Sequence, residues 1–323
     1  MPERQPDVSE TARTVARSLG TRSLTVAPQS ERPVAVITGA SSGIGAVFAR
    51  KLAARGYDLL LIARREDRLR SLASDLAATY RIAADFLIAD LAGDADLERA
   101  ADRIQSEPRL GLLVNNAGFG TNGFFFEIDV RSQEQMHRLH VLATMRLTHA
   151  ALSNLVARSS GEPKISGIPK SYDPRPHRLK PVPPGVINVA SVAGFAQSPG
   201  SISYNSTKAW INSFTEGVAM ELSIKAPGVR IQALCPGFTL SEFHDVVGLD
   251  RSAIAKSLWM SADFVVEESL RGFERGKLFV IPGWRYKVIV AGMKLLPGPL
   301  LRRMAVIGAR RLRRRRVETG KNA

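Results

Sequence analysis

Cysteine is nearly absent: Cys235 is the only one in 323 residues. No intrachain disulfide can form, and a reducing compartment fits best. Long apolar runs are absent too. Nothing approaches the roughly 18 consecutive apolar residues of a spanning helix. The opening MPERQPDVSETARTVARSLGTRS lacks the apolar stretch of a secretory signal. It reads as a polar, mobile tail over 1–31. No His/Cys/Asp group has metal-ligand spacing and no GxSxG occurs, so metalloenzyme and hydrolase readings lack support. A cytoplasmic location is expected.

Charge is abundant but uneven. Of the net +15, +12 falls between Lys277 and the end, leaving +3 for the preceding 276 residues. A nearly neutral body with a basic tail argues against nucleic-acid binding by the whole domain. Hydrophobic content of 45% with 26 glycines supports a packed core.

The order of elements is regular. Apolar, β-branched runs at 33–39, 57–65, 84–91, 110–118, 185–191 and 229–237 read as buried parallel strands, with 277–283 as a seventh. Helical periodicity fills 44–56, 66–80 and 95–107, one long helix spans 130–159, and another carries Tyr204. Strict alternation predicts an α/β fold: a doubly wound parallel sheet of Rossmann type, in one domain with N- and C-terminal extensions. Ligands then belong at the carboxyl ends of the strands. One segment, 158–185, breaks the rhythm with seven prolines in 28 residues. It reads as a surface insertion.

TGASSGIG (38–45) sits where a strand becomes a helix. Gly39, Gly43 and Gly45 permit a tight turn and close approach to a pyrophosphate. Ser41, Ser42 and Ile44 lead into the helix N-terminus that faces it. The second strand ends in Arg64 and Arg65, where NAD enzymes present an acid to the ribose. Arginine there suits a 2′-phosphate, so NADP (NADPH) is the expected cofactor. Tyr204 and Lys208 lie one helical turn apart on one face.

TGASSGIG, Asp90-Leu91, NNAG (115–118), Ser191, the Tyr204…Lys208 run and Pro236-Gly237 together resemble the short-chain dehydrogenase/reductase family. The resemblance runs from about Arg32 to Trp284. PGFTLSEF (236–243) and IPGW (281–284) look like its branch related to ketoacyl and hydroxysteroid reductases. The resemblance implies that Asp90 and Leu91 flank the adenine, and that Asn116, Ala117 and Gly118 line the adenosine ribose. Tyr204 would exchange a proton with a carbonyl oxygen. Lys208 would bind the nicotinamide ribose and lower the Tyr pKa. Ser191 would hydrogen-bond the substrate oxygen. Pro236, Gly237, Thr239 and Ser241 would shape the nicotinamide pocket. The family's usual Asn in the long helix is here His140, which either relays protons itself or leaves a backbone role intact.

Residues 241–276 are expected to cover the substrate, with Phe243, Val246, Val247, Leu249, Leu258, Trp259 and Met260 suggesting an apolar pocket. Phe119, Phe124, Phe125 and Phe126 form its other wall or pack a subunit interface. The expected substrate is a small apolar ketone or alcohol, and a homo-oligomer is expected. The basic segment 285–323, broken at Pro297 and Pro299, suits a helix lying on an anionic membrane surface, peripheral on its inner face, or a lid or dimer contact. The competing reading is a catalytically weakened NADP-binding sensor or membrane-associated scaffold. Domain bounds are therefore 1–31, 32–284 and 285–323.

Overall fold

A computed structural model of the chain describes residues 31–160, 181–242 and 254–318, with backbone alone for 160 and 311–318. The sheet begins with β1 (Val34–Thr38), β2 (Asp58–Ala63), β3 (Ala84–Ile88) and β4 (Leu110–Asn115), continues through β5 (Gly185–Val189) and β6 (Arg230–Leu234), and is joined later by β9 (Phe279–Val280). All seven pair in parallel, in the order β3-β2-β1-β4-β5-β6-β9. This is the doubly wound α/β fold that the alternation predicts, with the order reversing between β1 and β4.

Helices cover both faces. α1 (Gly43–Ala54), α2 (Glu66–Tyr80) and α3 (Asp94–Gln105) alternate with the first strands. Along β1, Ala35 and Ile37 join one apolar cluster with Phe48 and Leu52 of α1, while Val34 and Val36 join the opposite one with Ile104 of α3. Strand period two divides these residues between the faces. α7 (Ala262–Glu274) contributes Val265, Val266, Leu270 and Phe273 to the first cluster.

The expected single helix over 130–159 is three segments. α4 (Val130–His137) passes into a π-helical stretch, Arg138–Ala143, and then α5 (Thr144–Ser160). Apolar spacing does not register such a bulge, because one inserted residue leaves the flanking periodicity intact. α6 (Ile202–Lys225) carries Tyr204 and Lys208. A two-stranded parallel pair, β7 (Thr239–Leu240) with β8 (Met260–Ser261), follows β6.

The basic end forms α8 (Trp284–Leu295) and α9 (Gly298–Glu318), interrupted where Pro297 removes a backbone donor. α8 is part of the body, not of a tail: Tyr286 and Val290 are buried. Tail 1–31 apart from its last residue, most of insertion 158–185, and Phe243, Val246, Val247 and Leu249 lie outside the described residues.

Candidate active site

Six strand ends converge on one edge. β1 delivers Gly39, β2 Arg64 and Arg65, β3 Asp90 and Leu91, β4 Asn116 to Gly118, β5 Ser191, and β6 Pro236 and Gly237. The glycine turn is tightly built. Gly39 and Gly43 have φ of +64° and +54°, where an L side chain is strained. A Cβ on Gly45 would lie 2.4 Å from the Gly39 carbonyl oxygen. The Thr38 hydroxyl accepts from the amides of Asn116 and Ala117 at 2.9 and 3.0 Å. The Asn116 side chain donates to the Thr38 and Gly39 carbonyls at 2.9 and 3.2 Å. The turn and NNAG thus hold each other, leaving backbone N–H groups at the start of α1 for an anion. Ile44 packs on the core and Leu91 is buried. Asp90 is exposed and caps its own turn through Ala92 N–H.

Beside the turn lies a cationic rim. Arg65 donates from Nη2 to Ser41 Oγ at 3.0 Å and to Ser42 Oγ at 2.8 Å. Its Nη1 donates to Glu242 at 3.0 Å, and Arg68 donates to the other oxygen of that carboxylate at 2.5 Å. Arg64 is exposed. Two guanidiniums on one carboxylate, one of them also held by the Ser41 and Ser42 hydroxyls, form a site for an anionic group of phosphate size. Arg68 and Glu242 are absent from the sequence reading. Arg68 sits one helical turn into α2, and Glu242 is 174 residues away from it.

Ser191, Tyr204 and Lys208 do come together. The phenol of Tyr204 is hydrogen-bonded by Ser191. Ser191 Oγ also accepts from the amide of Ala193 at 3.1 Å and approaches the Pro236 carbonyl oxygen at 3.4 Å. Lys208 Nζ donates to the Val189 carbonyl at 2.9 Å and lies 5.7 Å from the Tyr204 ring centre. Burial pushes the phenol up to about 12, against a smaller downward pull from Ser191. Burial likewise brings the lysine down to about 8. Burial is the largest cause of both shifts. Removing both groups from water disfavours both charges, which drives the phenol up and the amine down.

His140 lies in the π segment and is buried. Its Nδ1 is 2.9 Å from Thr207 Oγ1, and its Nε2 accepts from the Phe119 amide at 3.2 Å. The Thr207 hydroxyl spends its own proton on the Tyr204 carbonyl at 2.8 Å. Nδ1 must therefore carry the hydrogen and Nε2 must be bare. Burial, then the nearby Lys208 charge, hold the imidazole well below 6.5. His140 is neutral and committed at both nitrogens. Its ring also occupies the space that a Cβ on Gly118 would need, 2.6 Å from Nε2. Thr207 is a further site residue that reading the sequence missed.

The pocket side is set by Gly237. A Cβ there would fall 2.0 Å from the Tyr286 ring. Tyr286 Oη accepts from the Phe238 amide at 2.9 Å and donates to the Leu258 carbonyl at 2.8 Å. Phe238 packs on Trp259 with ring centres 5.5 Å apart. Thr239 is buried, and its hydroxyl donates to the Gly237 carbonyl. The Ser241 Cβ would touch a Cβ on Gly43 at 3.2 Å, so β7 leads back to the glycine turn. Phe125 and Phe126 are exposed, with Phe126 stacked on Phe124 at 5.8 Å. Among the described residues no His, Cys, Asp and Glu side chains group to hold a metal.

These strand ends and their spacing define a dinucleotide-type oxidoreductase. The family model for short chain dehydrogenase matches residues 33–162 and 183–251, and the chain belongs to that family of NAD(P)-dependent oxidoreductases. The break in the match, 163–182, falls inside the proline-rich insertion. A short-chain dehydrogenase from Sphingobium yanoikuyae, solved in complex with NADPH, is 32% identical; the alignment covers 81% of this chain and 94% of that one, with a TM-score of 0.68. The bulky-bulky ketone specific alcohol dehydrogenase from Comamonas testosteroni is 29% identical, covering 83% and 96%, with a TM-score of 0.65. An uncharacterized oxidoreductase of Staphylococcus saprophyticus is 29% identical over 63% of this chain and 77% of its own length.

Proposed function

We propose that the protein is an NADP-dependent oxidoreductase that interconverts an apolar ketone and a secondary alcohol. The observation that carries this reading is the meeting of three side chains at the carboxyl edge of the sheet: the Tyr204 phenol, Ser191 hydrogen-bonded to it, and Lys208 Nζ 5.7 Å from its ring centre. The glycine turn fits a dinucleotide: a Cβ at Gly45 would collide with the Gly39 carbonyl and the Asn116 side chain, so only glycine keeps the turn this tight before the helix N-terminus. Ser41, Ser42, Arg65 and Arg68 suit a 2′-phosphate. The NADPH bound to the Sphingobium relative supports the same choice. Asn116, Ala117, Gly118 and Asp90 are assigned to the adenosine half, and Pro236, Gly237, Thr239 and Ser241 to the nicotinamide half.

When bound, the reduced nicotinamide supplies a hydride to the carbonyl carbon. Tyr204 Oη releases its proton to the carbonyl oxygen, whose π electron pair becomes the new O–H bond. Ser191 donates to the same oxygen as negative charge develops there. Lys208 stabilises the phenolate left behind. His140 holds α6 in place through Thr207 and moves no proton. Phe238, Trp259 and Met260 supply an apolar wall, and the Comamonas relative's preference for bulky ketones supports such a substrate.

The test is a panel of apolar ketones with NADPH. Turnover that disappears in Tyr204→Phe, with NADPH binding retained, is the expected result. NADPH binding without turnover on any ketone would favour the sensor reading instead.

The exposed apolar residues Leu295, Leu300, Met304 and Ile307 lie beside Arg302, Arg303 and Arg310 along α8 and α9. This supports docking on an anionic bilayer from the cytoplasmic side. No helix among the described residues is long and apolar enough to cross one. Co-sedimentation with vesicles of anionic, but not zwitterionic, lipid is expected and should vanish on truncation after Leu296. The cut falls there because Tyr286 and Val290 belong to the body.

A further inference from the structure

Glu242 already fills the anion site on the cofactor rim. Its two carboxylate oxygens take one guanidinium each, from Arg65 and Arg68. Arg65 is the same side chain that binds Ser41 and Ser42 in the glycine turn. The arginines hold the Glu242 carboxyl down to about 2, Arg68 first and Arg65 next. It is therefore a carboxylate at every pH at which the enzyme would work.

We infer that Glu242 is a built-in competitor for the 2′-phosphate: carboxylate and phosphate occupy the Arg65–Arg68 site in turn, so this residue limits the preference for NADP over NAD. The inference rests on the NADP reading above. A 2′-phosphate at these donors would lie against a carboxylate, and two anions cannot share one pair of guanidiniums without repulsion. Glu242 must leave when NADPH binds. NADH carries no 2′-phosphate and leaves the ion pairs standing. Only the phosphorylated cofactor meets the competition, so Glu242 weakens NADPH and not NADH.

Position adds a second consequence. Glu242 follows directly on Ser241, which abuts Gly43 of the phosphate-binding turn. Displacing its carboxylate therefore takes place beside the pyrophosphate site as well as at the adenosine ribose.

The experiment is calorimetric titration of the full-length protein with NADPH and with NADH. The variants are Glu242→Gln, Arg65→Ala and Asp67→Asn. Glu242 is half-exposed, so its substitution leaves the core untouched. Exposed ion pairs of this kind set the expected scale. Glu242→Gln should tighten NADPH about three- to tenfold and leave NADH unchanged. Asp67→Asn removes an equal charge from an exposed residue in the first turn of α2, two residues from Arg65, and should change NADPH binding by less than about twofold. Unchanged NADPH affinity in Glu242→Gln, with Arg65→Ala still weakening NADPH, overturns the competition alone. Equal tightening by Asp67→Asn also overturns it, since a general field would then suffice. If Arg65→Ala leaves NADPH unaffected and NADH binds as well as NADPH, the cofactor reading fails and the competition falls with it.

Discussion

Substituting His140 distinguishes a neutral clamp from a proton relay. Both ring nitrogens are committed, Nδ1 to Thr207 and Nε2 to the Phe119 amide. Each such bond contributes about 1 kcal/mol net, and emptying the site adds a cavity, so His140→Ala should lose roughly 3–5 kcal/mol of stability. His140→Asn, which keeps a polar group of shorter reach, should lose about 1–3 kcal/mol and remain folded. Catalysis is affected only through the placing of Tyr204. Losing the His140–Thr207 bond loosens the turn that carries Tyr204, so kcat should fall about tenfold, near 1.4 kcal/mol in barrier, with its pH profile unmoved. Acid stability supplies a second readout. The folded imidazole is held well below 6.5. As the pH falls below 6.5 the unfolded chain takes up a proton that the folded one refuses. Stability therefore declines with acidification, by up to about 1.4 kcal/mol per pH unit, and His140→Asn should remove that contribution. Urea unfolding between about pH 7 and about pH 5, alongside steady-state rates, measures both. The reasoning is refuted if wild type and His140→Asn lose stability in parallel, or if the substitution deletes a limb of the kcat profile.

Two further outcomes follow from the site. The Lys208 amine, down at about 8 by burial, loses its charge above that pH, while the phenol keeps its proton to about 12. Ketone reduction should therefore decline on an alkaline limb near pH 8 in kcat/KM, and a flat profile to about pH 10 would contradict this. Gly237→Ala would place a methyl 2.0 Å from the Tyr286 ring. It should cost about 1–3 kcal/mol in thermal or urea unfolding and weaken ketone binding, since Tyr286 also holds the Leu258 carbonyl and the Phe238 amide.

What could be read from the chain is what neighbouring residues decide. Gly39, Asn116, Ser191 and Pro236 each stand just past a strand whose apolar run ends there, and alternation alone sends all these ends to one edge. The Tyr204–Lys208 pair follows from one helical turn. Contacts between remote segments leave no such pattern. Glu242 meets Arg65 across 177 residues, and Tyr286 meets Phe238 across 48. Neither partner's local spacing differs from that of a surface acid or a helix aromatic, so the division at 284 cut α8 from the body it packs on. The π segment escaped for a different reason: an inserted residue displaces one carbonyl without disturbing the apolar rows on either side.

Tyr204 and Lys208 shift in opposite directions for one reason. Spacing places the Lys208 ammonium near the Tyr204 phenol, and in water that neighbour would favour phenolate. In the folded cleft the two shifts have a single origin. Desolvation disfavours the phenolate and the ammonium alike, so it drives the phenol up and the amine down together. The consequences for the two directions differ. Reduction needs a phenol that still holds its proton, and that form prevails across the range in which Lys208 is charged. Oxidation needs the proton taken from the alcohol, and the high phenol pKa opposes forming the base. A cleft that keeps the Tyr204 proton up to about 12 should therefore favour carbonyl reduction near neutral pH, and alcohol oxidation should gain rate as pH rises while reduction loses it.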